Sequence, residues 1–108
     1  MTDILRVLER RLAASRARGV ELTGAEIDRL LNDGYGRVLE LEAERSHLER
    51  AITQMAETAH EEGVAERLRS HAQRLRELDR ELARTRELLA EVQDLAGAHS
   101  APAAGHRY

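Results

Sequence analysis

The sequence predicts an all-α protein, an antiparallel coiled-coil helical hairpin with a short N-terminal helix packed at its open end. Apolar residues keep one heptad phase from Ile27 to Ala59 and another from Val64 to Ala96, with a slip of two residues near Gly63. A continuous coiled coil absorbs insertions of three or four residues, so a slip of two beside a glycine indicates a reversal of the chain. The composition agrees, because 108 residues with one proline, 42% hydrophobic and 34% charged residues are typical of long helices.

The first helix is predicted over residues 3–18. Thr2 provides an N-cap residue, and the apolar side chains that follow lie on one helical stripe. That stripe consists of Ile4, Leu5, Val7, Leu8 and Leu12. Arg16 and Arg18 stand in the last turn, where positive charge suits the negative end of the helix dipole, and Gly19 follows as a terminator.

A second helix is predicted over residues 23–60. Thr23 and Glu26 have the spacing of a capping box, in which each side chain binds the backbone amide of the other residue. Leu22 and Ile27 flank this box as a hydrophobic staple. The helix therefore has a well-defined start.

Residues 32–36, Asn-Asp-Gly-Tyr-Gly, have the composition of a loop. Each glycine costs about 1 kcal/mol relative to alanine inside a helix. The heptad phase nevertheless continues through this segment. Because a loop has little reason to preserve that phase, we favour one continuous helix over a break at residues 34–36.

The third helix is predicted over residues 64–96. Folding the chain back at its turn pairs positions whose numbers sum to 123, and the two arms then match in length. The expected pairs are Met55 with Leu68, Leu48 with Leu75, Leu41 with Leu82 and Leu31 with Val92. Residues 97–108 have small side chains and no periodicity, which predicts a disordered C-terminal tail. Residues 1–96 would then form a single helical domain.

Apolar residues outside the seam indicate where the first helix packs. They are Tyr35, Leu39, Leu88 and Leu95, all toward the open end of the hairpin. We expect the first helix to lie there, antiparallel to residues 23–38, and to cover them. The predicted shape is a three-helix bundle at one end, from which a two-helix arm projects.

The projecting arm lacks a third helix, so its seam is the predicted partner-binding or oligomer surface. Two helices bury only a narrow stripe each, and two arms packed with C2 symmetry would close the remaining edges. We therefore expect a homodimer joined along residues 41–82, or a different protein partner in its place. The candidate seam residues are Arg45, Leu48, Ile52, Met55, Leu68, His71, Leu75 and Leu78. Arg45 and His71 either extend to solvent or face the partner helix.

Arginines on the arm suggest a second kind of surface. The six candidate anion-binding residues are Arg50, Arg69, Arg74, Arg76, Arg80 and Arg84. Glutamates and aspartates stand among them, so the alternative is a solvated helix face with surface ion pairs.

A short motif occurs once on each arm, as Glu42-x-x-Arg45-Ser46-His47-x-x-Arg50 and as Glu66-x-x-Arg69-Ser70-His71-x-x-Arg74. The Glu-x-x-x-Ser beginning of each resembles the anti-sigma coiled coils that bind cyclic di-GMP through one such motif per arm. That resemblance implies a ligand-responsive regulator, a nucleotide-binding hairpin in which the four arginines of the motifs hold phosphate groups. It covers about nine residues per arm, and Glu49 and Gln73 stand where the family has an arginine after each serine.

Other functional classes have no signature in the sequence. Cysteine is absent, residues 1–20 lack the apolar run of a signal peptide, and no segment approaches the ~20 apolar residues of a membrane span. The net charge of -3 argues against general nucleic-acid binding. No glycine-rich phosphate loop or nucleophile elbow occurs, so we predict no catalysis, cofactor or metal site. We expect a cytoplasmic, non-enzymatic protein–protein interaction module, a coiled-coil regulator or adaptor.

Overall fold

The computed structural model describes residues 3–18 and 22–104, with side chains described for residues 3–17 and 22–97. These residues form three helices and no strand: α1 (Ile4–Arg18), α2 (Gly24–Ala56) and α3 (Val64–Ala104). The described chain measures 65 × 32 × 18 Å, because α2 and α3 pack along each other as a long hairpin and α1 lies against one end. The predicted all-α hairpin with a short N-terminal helix is confirmed.

Helix α1 begins after Asp3, whose carboxylate accepts a hydrogen bond from the Arg6 amide (3.4 Å). Asp3 therefore has the capping role that the sequence analysis gave to Thr2, which lies outside the described residues, as does the predicted terminator Gly19. The carboxylate also suits the positive N-terminal end of the helix.

Helix α2 begins with the predicted capping box. The Glu26 amide donates to Thr23 Oγ1 and the Thr23 amide donates to Glu26 Oε1, each over 3.1 Å. The helix then runs without a break through Gly34 and Gly36, as the continuous heptad phase predicted. It ends at Ala56, four residues before the predicted end.

The early end of α2 follows from the turn that reverses the chain. The Glu57 and Thr58 amides bond back three residues, to Gln54 and Met55, so the last turn tightens and the helix stops. Gly63 has a φ of 82°, a left-handed conformation that glycine adopts without steric cost. Helix α3 starts at the next residue, which confirms that the phase slip beside Gly63 marks the reversal.

The register of the hairpin is the predicted one. Gly34 and Leu89, whose numbers sum to 123, lie against each other, and a Cβ added at Gly34 would approach Leu89 Cγ to 3.1 Å. A buried cluster further along the arm contains Leu41, Leu48, Leu78 and Leu82, with Val38 and Leu75 packed on it. Residues of α2 and α3 whose numbers sum to about 123 therefore lie at the same height along the hairpin.

A second core forms where α1 packs on α2 and α3. Its buried members are Leu8, Leu12, Leu22, Ile27, Leu30, Leu88 and Val92. Arg11 of α1 pairs with Glu26 near the start of α2, and Ile4 lies beside Arg37 further along it, so α1 runs antiparallel to α2 as predicted. The predicted cover of Tyr35 and Leu39 is wrong, because α1 lies on the opposite side of the hairpin and leaves them 43% and 68% exposed.

Helix α3 is longer than predicted. It continues past residue 96, the predicted end, to Ala104, and residues 105–108 lie outside the described part. Extending an existing helix needs no new nucleation, and alanine is the best helix former. Four of residues 97–104 are alanines, which favour this extension, whereas Gly97 and Pro102 oppose it.

Candidate functional site

Two rows of residues flank the seam between α2 and α3, one on each side, and we call them the α1 edge and the Tyr35 edge. The α1 edge is the side on which α1 packs, and its facing pairs are Leu30 with Leu88, Arg37 with Glu81 and Glu44 with Arg74. The Tyr35 edge is the opposite side, and its facing pairs are Tyr35 with Gln93 and Glu42 with Arg86. Arg45 of the seam also reaches this edge, where it binds Asp79. The two edges differ in how completely they are closed.

The α1 edge is closed by packing and by ion pairs that contain two hydrogen bonds each. Arg37 donates from Nε and Nη2 to the same Glu81 oxygen over 3.0 and 2.8 Å, and both side chains are less than a quarter exposed. Arg74 donates to both oxygens of Glu44 over 2.8 and 3.1 Å. These hydrogen bonds hold the pKa of the Glu44 carboxyl below its ordinary value and raise the pKa of Arg74.

A cleft of about 760 Å³ lies where the N-terminal end of α1 meets this edge. Its lining residues are Asp3, Ile4, Leu5, Arg37, Glu40, Arg80, Glu81 and Arg84. Three arginines face three carboxylates there, and Arg84 also binds Glu9 and Glu87, over 3.3 and 3.1 Å. Because the charges of the lining residues cancel, the cleft has no strong preference for anions or cations.

The Tyr35 edge is open. Beside Tyr35, the largely exposed Leu39 projects from α2, and a hollow of about 230 Å³ has Val38 and Leu89 among its lining residues. Toward the tip of the arm, beyond the pairs of Glu42 with Arg86 and Arg45 with Asp79, alanines occupy this edge at positions 56, 65 and 72. The edge therefore has exposed apolar side chains at its open end, ion pairs in the middle, and short alanines beside the charged Arg69 near the tip.

The eight residues predicted to form a partner or oligomer seam lie together in the hairpin, but with different exposure. Leu48 and Leu78 are 7% and 0% exposed, so the expectation that each seam residue keeps an outward edge is wrong for Leu78. Arg45 is exposed, and its Nε donates to Asp79 over 2.9 Å. The half-buried members, which a docked helix could reach, are Ile52, Met55, Leu68, His71 and Leu75.

The six predicted anion-binding arginines do not converge on one site. Arg74 and Arg84 are bound to carboxylates on the α1 side, and Arg76 donates to Gln73 Oε1 over 2.7 Å. Within the described part of the chain, Arg50, Arg69 and Arg80 have no ion pair. They project from different faces of α2 and α3.

The two motifs that resemble the cyclic di-GMP-binding hairpins also face different ways. Arg45 binds Asp79 on the Tyr35 edge, whereas Arg74 binds Glu44 on the α1 edge. A nucleotide held by both arginines would have to reach both edges and replace two ion pairs. Ser46 and Ser70 are exposed.

Two features of the hairpin were not predicted from the sequence: the ion pairs that join α2 to α3, and the exposure of Leu39, which α1 was expected to cover. Three of these pairs could have been found, because Arg37 with Glu81 and Glu44 with Arg74 have numbers that sum to 118, and Glu42 with Arg86 to 128. Among the described residues, no three histidine or acidic side chains are placed to hold a metal ion, and no helix is long and apolar enough to cross a membrane. Comparisons with protein-family models, curated proteins and solved structures give no match to this chain.

Proposed function

We propose that this chain is a non-enzymatic interaction module, a coiled-coil regulator or adaptor that binds another protein chain through the Tyr35 edge. The observation that carries the proposal is Leu39, a large apolar side chain that is 68% exposed on the edge that α1 leaves open. At the same height, the other side of the hairpin is closed by α1. Docking of a helix on the Tyr35 edge would complete a four-helix arrangement around the open end.

The tip of the arm supports the same proposal. Ile52 and Leu68 are half-buried in the seam, and the flanking residues on the Tyr35 edge are alanines such as Ala56 and Ala72. Because alanine has a short side chain, a partner helix can approach the half-buried seam closely there. Nearer the base, long ion-paired side chains hold a partner further from the seam.

The titratable groups give support to a non-enzymatic role. The pKa of Glu44 is lowered, and those of Arg74 and Arg84 are raised, in each case mainly by hydrogen bonds between oppositely charged side chains. Catalytic acids and bases have their pKa values shifted by burial and by neighbouring charges within a cleft. The shifts here belong to ion pairs at the surface of a coiled coil.

Site-directed photocrosslinking in the source cell tests the docking surface without assuming the partner. A benzophenone amino acid replaces Leu39 in one variant and Arg50, exposed on the outer face of α2, in a matched control. We expect covalent adducts from position 39 in clear excess over position 50, since only the first lies on the Tyr35 edge. Equal adducts from the two positions, or none from position 39, would contradict the proposal.

A further inference from the structure

We propose, building on the function above, that the Tyr35 edge binds a second copy of this chain. The two arms lie side by side in the same direction, with their tips together, so that α2 of each protomer packs on α3 of the other. A two-fold axis parallel to the arms generates this arrangement, and it forms every contact twice.

The shapes of the two helices on this edge are complementary. At the same height along the hairpin, α2 presents the large side chains of Tyr35 and Leu39, and α3 presents the exposed Ala83 and Ala90. When α2 of one protomer lies on α3 of its partner, Leu39 meets small residues and the hollow of about 230 Å³ that lies beside them. Large side chains then pack against small ones, as close helix packing requires.

The charges select the orientation. On this edge Glu42 is paired with Arg86 and Arg45 with Asp79 within the chain. The charges left without an ion pair in the described part of the chain are Glu49 on α2 and Arg69 and Arg76 on α3. With tips together, Glu49 of one protomer faces the α3 of the other, which carries Arg69 and Arg76. The opposite orientation would lay α2 on α2 and α3 on α3, which separates Glu49 from Arg69 and Arg76 of the partner protomer and loses this attraction.

Glu49 and Arg76 are the two residues expected to form an ion pair across the dimer interface. Glu49 and Arg76 form no ion pair within the described part of the chain, and their numbers sum to 125, which places them at nearly the same height. Their side chains project from different helices, away from the seam. The tips-together arrangement brings Glu49 of each protomer to Arg76 of its partner.

Disulfide trapping tests the partner and its orientation together. The chain has no cysteine, so each introduced cysteine is the only one in its protomer. Thr53 and Ala72 lie on the Tyr35 edge at nearly the same height, and both are small enough for replacement by cysteine to change little. A Thr53→Cys chain at natural isotope abundance is mixed with a nitrogen-15-labelled Ala72→Cys chain, oxidised, and analysed by mass spectrometry.

We expect the mixed disulfide to exceed either disulfide between identical chains. The matched control mixes a Gln54→Cys chain with the Ala72→Cys chain. Gln54 is the next residue along α2 and projects away from the Tyr35 edge, so its disulfide with Ala72→Cys should be at least ~10-fold less abundant. A dominant disulfide between two Thr53→Cys chains would overturn the orientation. Equal yields in both mixtures, or no disulfide dimer in either, would overturn the tips-together dimer. Adducts of another protein at position 39 would leave the proposed function standing.

A charge exchange tests the specific contact. Glu49→Arg or Arg76→Glu alone places like charges together twice per dimer, and each should raise the dimer Kd by roughly fivefold or more. The chain that carries both substitutions should regain the wild-type Kd, because the pair is restored with its signs reversed. Circular dichroism of each variant verifies the helical fold. Failure of the double variant to recover, with full helicity, would contradict the Glu49–Arg76 contact.

Discussion

Alanine substitutions at Gly34 and Gly36 provide a matched test of the packing between α2 and α3. Both glycines lie inside α2, so replacement by alanine should gain about 1 kcal/mol of helix propensity at each. A methyl group at Gly36 meets nothing within 4 Å. At Gly34 it would overlap the end of the Leu89 side chain and lie 3.1 Å from Leu89 Cγ.

The expected difference follows from the burial of Leu89. That side chain is 3% exposed and packs inside the seam, so it cannot move aside without disturbing its neighbours. Overpacking of this kind costs about 1–3 kcal/mol, which equals or exceeds the gain in helix propensity. Gly36→Ala should therefore stabilise the protein by about 0.5–1 kcal/mol, whereas Gly34→Ala should leave its stability unchanged or lower it by up to about 2 kcal/mol.

Urea denaturation at a fixed protein concentration, followed by circular dichroism at 222 nm, measures both variants. Leu89→Ala alone, and a chain with both Gly34→Ala and Leu89→Ala, complete a double-mutant cycle, in which the added methyl group should cost less once the leucine is shortened. Equal stabilisation by the two single alanine substitutions would show that Gly34 does not lie in a close approach of the helices, and the hairpin register would then be wrong.

Three further substitutions test local features. Thr23→Ala removes the cap of α2 and should cost about 1 kcal/mol in chemical denaturation, with no loss if the capping box is absent. Gly63→Ala places a side chain on a residue in the left-handed conformation, so it should lower the free energy of unfolding by about 1–2 kcal/mol even though no atom lies within 4 Å of the added methyl group. An unchanged denaturation midpoint would contradict the turn geometry. Because the pKa of Glu44 is lowered in the folded state, its ion pair stabilises the protein above the ordinary pKa of 4.5 and loses that contribution as the pH falls from 4.5 through the folded-state pKa. Partial exposure limits the contribution to under about 1 kcal/mol, so Glu44→Gln should lose stability at pH 7 but match the wild type near pH 2, and a constant difference between the two pH values would contradict the pairing.

Local sequence signals predicted most of the hairpin. The capping box at Thr23 and the left-handed glycine at Gly63 depend on a few neighbouring residues, and the heptad phase fixes which side chains enter the seam. The ends of the helices were predicted less accurately. The end of α2 depends on how the turn closes, and the end of α3 depends on the balance between helix propensity and chain entropy, which a repeat pattern does not report.

The position of α1 illustrates a different limit. Surplus apolar residues flank the seam on both sides. Leu30 and Leu88 lie on the α1 edge, and Tyr35 and Leu39 lie on the Tyr35 edge. Periodicity shows that these residues lie outside the seam, but it does not show which edge a third helix covers. The arm arginines were similarly ambiguous, because the sequence shows neighbours on the same helix, whereas Arg74 and Arg86 bind carboxylates on the facing helix.

Light scattering of the wild type beside a Leu39→Glu variant tests the role of the Tyr35 edge most directly. Leu39 is 68% exposed, so a glutamate there should leave the helical content unchanged while it places a charge in the docking surface. We expect the wild type at 100 micromolar to have twice the 12.2 kDa chain mass and the Leu39→Glu variant to have the chain mass, with an Arg50→Glu control that behaves as the wild type. A wild type of 12.2 kDa, or a Leu39→Glu variant that still has twice that mass, would contradict self-association through this edge.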